Sequence, residues 1–168
     1  MDDLSEALRV IKLVVLDFDG VLTDNRVLVM EDGSEGVVCN RSDGIGIQAA
    51  RELGIKFLVL SKEKNPVVQT RCSKLQLSCI SGCDDKKSIL SQHVVSVGCE
   101  LNEVAYMGND VNDIECLDMV GFPVAPADAW PEILEHVRFV TERPGGAGAV
   151  REFCDMVVRA NRHVGESI

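Results

Sequence analysis

Short aliphatic runs alternate along this chain with longer stretches in which apolar positions recur every three or four residues. Aliphatic runs bounded by glycine, proline or charge read as strands buried on both faces, and the periodic stretches read as amphipathic helices. The pattern predicts strands over 13–17, 56–60, 78–80, 104–107, 122–124 and 139–140. It predicts helices over 44–53, 66–75, 86–97, 112–117 and 131–136. A last helix is predicted over 149–160, after the glycine-rich Pro144-Gly145-Gly146-Ala147-Gly148. Pro66 near a helix start and Gly54 just past a helix end fit the usual asymmetry of helix termini. Such alternation implies the α/β class, a Rossmann-like parallel sheet sandwiched by helices with right-handed crossovers.

One segment breaks the alternation. Arg26-Val27-Leu28-Val29-Met30 and Glu35-Gly36-Val37-Val38-Cys39 flank Asp32-Gly33, which reads as a β-hairpin. Two strands alone are marginal in water. Val27, Val29, Val37 and Val38 therefore need a partner surface. That surface is either their own domain or the hairpins of other subunits, which would also cover exposed edges.

Composition narrows the function classes. With 168 residues, 46% of them hydrophobic, the expectation is a single domain over 1–168 with a sizeable aliphatic core. A hairpin flap would span about 25–40, and a glycine-rich tail with its helix about 144–162. The net charge of −10 argues against nucleic-acid or anionic-membrane partners. No apolar run reaches transmembrane length. Seven cysteines, odd in number and scattered, point to free thiols in a reducing compartment. Cys79, Cys83 and His93 lack the second ligand pair of a zinc site, so core thiols are the better reading.

The candidate chemistry lies at strand ends. Asp17-Phe18-Asp19-Gly20-Val21-Leu22-Thr23-Asp24 follows the run Leu13-Val14-Val15-Leu16. Alternation along an extended chain points Asp17 and Asp19 to the same side, and a divalent cation relieves the repulsion between like charges held that close. An Asx turn would explain one aspartate but not the whole motif. Gly108-Asn109-Asp110-Val111-Asn112-Asp113 follows another strand, on the same rim of a parallel sheet. Alone it reads as a capped turn. Paired with the first motif, it can complete an oxygen-ligand site for Mg²⁺. Ser61, at the end of the strand 56–60, can donate a hydrogen bond to a phosphoryl oxygen. Lys86 or Lys87, opening the helix after Asp84-Asp85, can supply positive charge.

These four motifs resemble those of the haloacid dehalogenase superfamily. Within it they resemble the small phosphatases that include the enzyme acting on 3-deoxy-manno-octulosonate 8-phosphate. The likeness extends to Arg41-Ser42-Asp43-Gly44-Ile45-Gly46-Ile47 and to Gly145-Gly146-Ala147-Gly148-Ala149-Val150-Arg151-Glu152. It implies that Asp17 is a nucleophile forming an aspartyl-phosphate. Asp19 would protonate the leaving alcohol and then activate water. Ser61 and Lys86 would hold phosphoryl oxygens, with Asp43 and Gly44 also on the substrate side. Mg²⁺ would bind Asp17, the Asp19 carbonyl and an oxygen of Asn109, Asp110 or Asp113. A homotetramer through the hairpin flaps is also implied.

A still closer likeness is to the C-terminal domains of animal CMP-N-acylneuraminate synthetases. It implies a nucleotidyltransferase with its N-terminal synthetase domain outside this chain, and a nuclear location. Three positions depart from the phosphatase pattern: Asn109 where Asp is frequent, Ala147 where Arg is frequent, and Lys62. On this reading the domain drives tetramer assembly with weak or no phosphatase activity. The alternative is an active Mg²⁺-dependent phosphatase on a sugar-acid phosphate, of the sialic acid 9-phosphate type.

Overall fold

A computed structural model describes residues 3–162. A short helix α1 (Asp3–Arg9) leads into strand β1 (Leu13–Leu16). The hairpin strands β2 (Thr23–Val29) and β3 (Glu35–Cys39) follow, then helix α2 (Arg41–Arg51). The chain continues through β4 (Lys56–Leu60), α3 (Val67–Leu75), β5 (Ser78–Ile80), α4 (Lys86–Ser96), β6 (Val104–Met107) and α5 (Ile114–Leu117). It ends in β7 (Phe122–Ala125), β8 (Phe139–Val140) and α6 (Ala149–Arg162). The main sheet is parallel throughout, in the order β5-β4-β1-β6-β7-β8, and the hairpin forms a second, two-stranded sheet.

The aliphatic strands are buried on both faces, as the sequence pattern requires. Val14 and Leu16 face a layer built from α1, α2, α3 and α6, where Ile47, Ala50, Val68, Phe153 and Val157 are buried. Leu13 and Val15 face the opposite layer, where Leu90, Val94, Cys116 and Leu117 come from α4 and α5. Fully burying one such side chain contributes about 1.5–3 kcal/mol. In α6 the buried residues Val150, Phe153, Cys154, Val157 and Val158 recur at helical spacing and form one apolar stripe. Gly46 of α2 lets that helix lie close to α6: a Cβ there would come within 2.8 Å of Arg151 Cδ.

The α/β expectation is met, with local corrections. The first helix, Asp3–Arg9, was not predicted; seven residues give too short a period to register. Helix α2 begins at Arg41 rather than 44, because Asn40 caps it, its side chain accepting a hydrogen bond from the Ser42 N–H at 2.9 Å. The segment Pro131–His136 is a 3₁₀ helix, not an α-helix. All seven cysteines are free. No described helix is long and apolar enough to cross a membrane.

The hairpin turns at Asp32-Gly33. Gly33 takes φ +83°, and Asp32 Oδ1 accepts from the Ser34 N–H at 2.9 Å. Val37 packs on the core, but Val27, Leu28, Val29 and Val38 are each more than half exposed.

Candidate active site

Strand β1 lies between β4 and β6, and the flanking helices change face at this point in the sheet. Ligands of open α/β sheets bind beyond the carboxyl ends of the strands at such a switch. Three loops meet there: the one after β1 carrying Asp17 and Asp19, the one after β4 carrying Ser61 to Lys64, and the one after β6 carrying Asn109, Asp110 and Asn112. They line a cleft of about 410 Å³.

The loop after β1 is held by its own backbone. The carbonyl of Phe18 accepts from the N–H groups of Leu22 and Thr23 at 3.0 and 3.2 Å. The buried hydroxyl of Thr23 accepts from Gly20 N–H and Asn25 N–H, both at 3.1 Å. Gly20 takes φ +80° in the turn, and a side chain on it would collide with Asn109. Asp17 Oδ1 accepts from Phe18 N–H at 2.7 Å and pairs with Lys86 Nζ at 2.9 Å. Among the described residues, no hydrogen bond or ion pair engages Oδ2, although Asp17 lines the cleft.

Lys86 opens α4, which Asp85 caps by accepting from Ser88 N–H at 3.0 Å. Its ammonium sits between two buried carboxylates, 2.9 Å from Asp17 Oδ1 and 2.8 Å from Asp113 Oδ1. Lys87 is exposed and pairs with Glu115 at 3.4 Å, so Lys86 is the lysine of the site.

Asp113 has a different place from the one expected of a metal ligand. It is fully buried, and both oxygens are engaged. Oδ1 accepts from Lys86 and, at 2.7 Å, from the Tyr106 hydroxyl; Oδ2 accepts from Asn109 N–H at 3.0 Å and Asp110 N–H at 3.4 Å. It therefore organises the loop after β6 and neutralises Lys86 from beneath. Gly108 makes room for it, since a Cβ there would come within 2.5 Å of Asp113 Cβ.

Asp43 and Gly44 are not brought into this cleft either. Asp43 is buried in α2, where Oδ1 accepts from Arg151 N–H at 3.0 Å and joins α2 to α6. Gly44 lines a separate groove between α2 and α3. They were expected here only from the family resemblance, and both belong to α2, which packs on α6. Conversely, Asn25, Glu63 and Lys64 line the cleft without having been singled out, and Lys62, noted only as a departure from the family pattern, lines it too. Adjacency to Thr23 and Ser61 was the one signal for them.

The electrostatics describe an anionic site short of positive charge. Burial, then the charge of Asp113, pushes the Asp17 carboxyl up to about 7 against the pull of Lys86. Burial acts to lower the Lys86 ammonium, but the charges of Asp17 and Asp113 outweigh it and hold it above its ordinary value. Partial burial and the nearby Glu63 raise the Asp19 carboxyl, while a hydrogen bond with Thr23 acts the other way. Burial keeps the Tyr106 phenol protonated. The donors facing the cleft are carboxylate and amide oxygens of Asp17, Asp19, Asn109 and Asp110, the chemistry that suits a hard divalent cation. Among the described residues no cluster of three or more acids, histidines or cysteines forms a ready cage. A cation here would thus need oxygens beyond those side chains, such as a backbone carbonyl or a substrate phosphate.

The haloacid dehalogenase-like hydrolase profile matches residues 61–152. The 3-deoxy-D-manno-octulosonate 8-phosphate phosphatase of Escherichia coli (strain K12) is 34% identical over 158 residues, covering 94% of this chain and 84% of its own. This chain belongs to the haloacid dehalogenase-like hydrolases. Among solved structures, a hydrolase of the same family from Streptomyces avermitilis superposes with a TM-score of 0.85 at 46% identity, over 87% of this chain and 84% of the other. The 3-deoxy-D-manno-octulosonate 8-phosphate phosphatase of Moraxella catarrhalis superposes with a TM-score of 0.91 at 28% identity, over 98% of each chain. That relative was crystallised with magnesium, phosphate and a KDO molecule.

These likenesses correct part of the sequence reading. Relatives matched over nearly the whole chain are phosphatases, not domains of a CMP-N-acylneuraminate synthetase. The transferase assignment, the partner synthetase domain and the reading of a mainly assembling domain with weak or no activity lose their support. So does the nuclear location, which stood only on the synthetase likeness, whereas the similar phosphatases of Escherichia coli and Yersinia pestis are bacterial.

Proposed function

We propose that this haloacid dehalogenase-like hydrolase is a magnesium-dependent phosphatase acting on a phosphorylated sugar acid. The class is that of 3-deoxy-octulosonate 8-phosphate or sialic acid 9-phosphate. The observation that carries the proposal is the pairing of Asp17 Oδ1 with buried Lys86 while Asp17 also lines the cleft beside Asp19. That arrangement leaves Oδ2 as the attacking atom.

Asp17 Oδ2 attacks phosphorus, and the bond to the sugar oxygen breaks. Asp19, whose carboxyl is raised, gives its proton to the departing alkoxide. It then takes a proton from the water that attacks the aspartyl-phosphate, and Asp17 leaves as carboxylate. Lys86 holds Asp17 in place and offsets the negative charge gathering at phosphorus. Ser61, whose Oγ accepts from Glu63 N–H at 3.1 Å, keeps its hydroxyl proton for a phosphoryl oxygen. Asp17, Asp19, Asn109 and Asp110 are the residues that would hold the metal. When bound, it supplies the positive charge that lets an anionic carboxylate meet an anionic phosphate.

The same reading includes assembly into a homotetramer through the hairpins, supported by the exposed Val27, Leu28, Val29 and Val38. The test of activity is phosphate release from a panel of sugar-acid phosphates with Mg²⁺. Turnover in the parent that vanishes in Asp17→Asn is the expected result. Equal release by both would overturn the proposal.

A further inference from the structure

The glycine-rich segment before α6 does more than connect. Gly145 is buried directly against the loop after β1, and a methyl group on it would overlap the carbonyl oxygen of Gly20. Gly146, at φ +66°, lies as close to the backbone of Thr23 and Asp24, and its N–H donates to Val21 O at 3.1 Å. The segment is anchored on its N-terminal side by two carboxylates. Asp128 Oδ1 accepts from Gly145 N–H at 2.8 Å. The Glu152 carboxylate of α6 accepts from the N–H groups of Glu142 and Arg143, each at 2.9 Å. On its far side the same loop meets Asn109, which occupies the space beside Gly20. The turn that carries Asp19 is thus clamped between the loop after β6 and this strap.

We infer that residues 144–148 are a strap that positions the nucleophile loop, with Gly145 and Gly146 as positioning residues acting on Asp19 through Gly20 and Thr23. The inference rests on the phosphatase reading. Thr23 is the link: its buried hydroxyl accepts from the N–H of Gly20, the residue next to Asp19, and from Asn25 N–H, both at 3.1 Å, so it ties the turn that carries Asp19. Any displacement of the turn moves the acid–base group relative to Asp17. Misplacing a catalytic group by about 1 Å can cost on the order of 100-fold in rate.

The test compares Gly145→Ala with Gly54→Ala. Gly54 has φ +85° and nothing within 4 Å of its missing Cβ, so that variant is strained without touching the loop. For Gly145→Ala the expectation is a kcat lowered roughly 100-fold with KM within about 2-fold, and faster amide exchange confined to residues 18–24. Gly54→Ala keeps the parental kcat. Asp128→Ala removes the exposed anchor without adding bulk, so it folds even where Gly145→Ala does not. It should lower kcat several-fold in the same pattern. A parental kcat in the folded Gly145→Ala, or in Asp128→Ala where that variant alone folds, overturns the strap while leaving the phosphatase reading intact. A parent without turnover overturns the phosphatase reading instead. The strap is then judged on amide exchange alone: unchanged protection at 18–24 overturns it, and selective loss there supports it.

Discussion

Replacing Lys86 with methionine removes the one cation between two buried carboxylates and keeps most of the side chain's bulk. Lys86 is 3% exposed, Asp17 5% and Asp113 0%. The ammonium lies 2.9 and 2.8 Å from their oxygens, and the fully enclosed Asp113 cannot turn to water for compensation. Removing one partner of a buried ion pair costs roughly 3–5 kcal/mol, because a charge is left buried without a partner. At about 2–4 °C per kcal/mol for a protein of this size, Tm should fall by roughly 6–20 °C. Urea denaturation at pH 7.5 should show a lower midpoint with an unchanged m-value. The loss should also depend on pH. Lys86 pulls the Asp17 carboxyl down against burial, so its removal raises that group further. The parent already holds the Asp17 proton up to about pH 7, so this part of the loss is small below pH 7 and grows as pH rises above it. A Lys86→Met variant less than about 1 kcal/mol below the parent at pH 7.5, or a loss that does not grow as pH rises above about 7, would refute this reasoning.

Three further outcomes are expected. In EDTA, Asp17→Asn should remove a pH slope from stability. The folded parent holds the Asp17 proton up to about pH 7. The unfolded chain releases it near 4, so parental stability falls across that window by up to about 4 kcal/mol, and the variant lacks this fall. Parallel denaturation curves from pH 4 to 8 for the two proteins would contradict it. Val29→Asp, at a residue 62% exposed on the hairpin, should lower the mass measured by light scattering; an unchanged mass would count against hairpin-mediated assembly. Gly46→Ala should cost about 1–3 kcal/mol through overpacking where α2 crosses α6, measured by the same urea titration. Parental stability would mean that Arg151 moves aside freely.

The legible parts of the fold were those written in local pattern. Strands β1, β4 and β6 are aliphatic because both of their faces are covered, so their runs stand out without any partner in view. The start of α2 was set three residues late, at Gly44, because the cap at Asn40 was not read, and Gly46 serves the crossing with Arg151. Asp17, Asp19, Ser61, Lys86, Asn109 and Asp110 stand out by motif and strand-end position, and the sheet order brings them together. Asp113 shows the limit. Its burial under Lys86 and Tyr106 depends on three elements meeting, and spacing in one loop cannot show which acid turns inward. Gly145 was visible as a glycine, but its contact with Gly20 joins positions at the two ends of the chain.

The central claim is that Asp17 carries a phosphoryl group during turnover. The most direct test is to mix the protein with Mg²⁺ and a sugar-acid phosphate, quench in acid within the first turnovers, and weigh the peptide containing Asp17. A peptide heavier by one phosphoryl group in the parent, absent in Asp17→Asn, is the predicted result. Phosphate released with that peptide unmodified at every quench time would contradict the account.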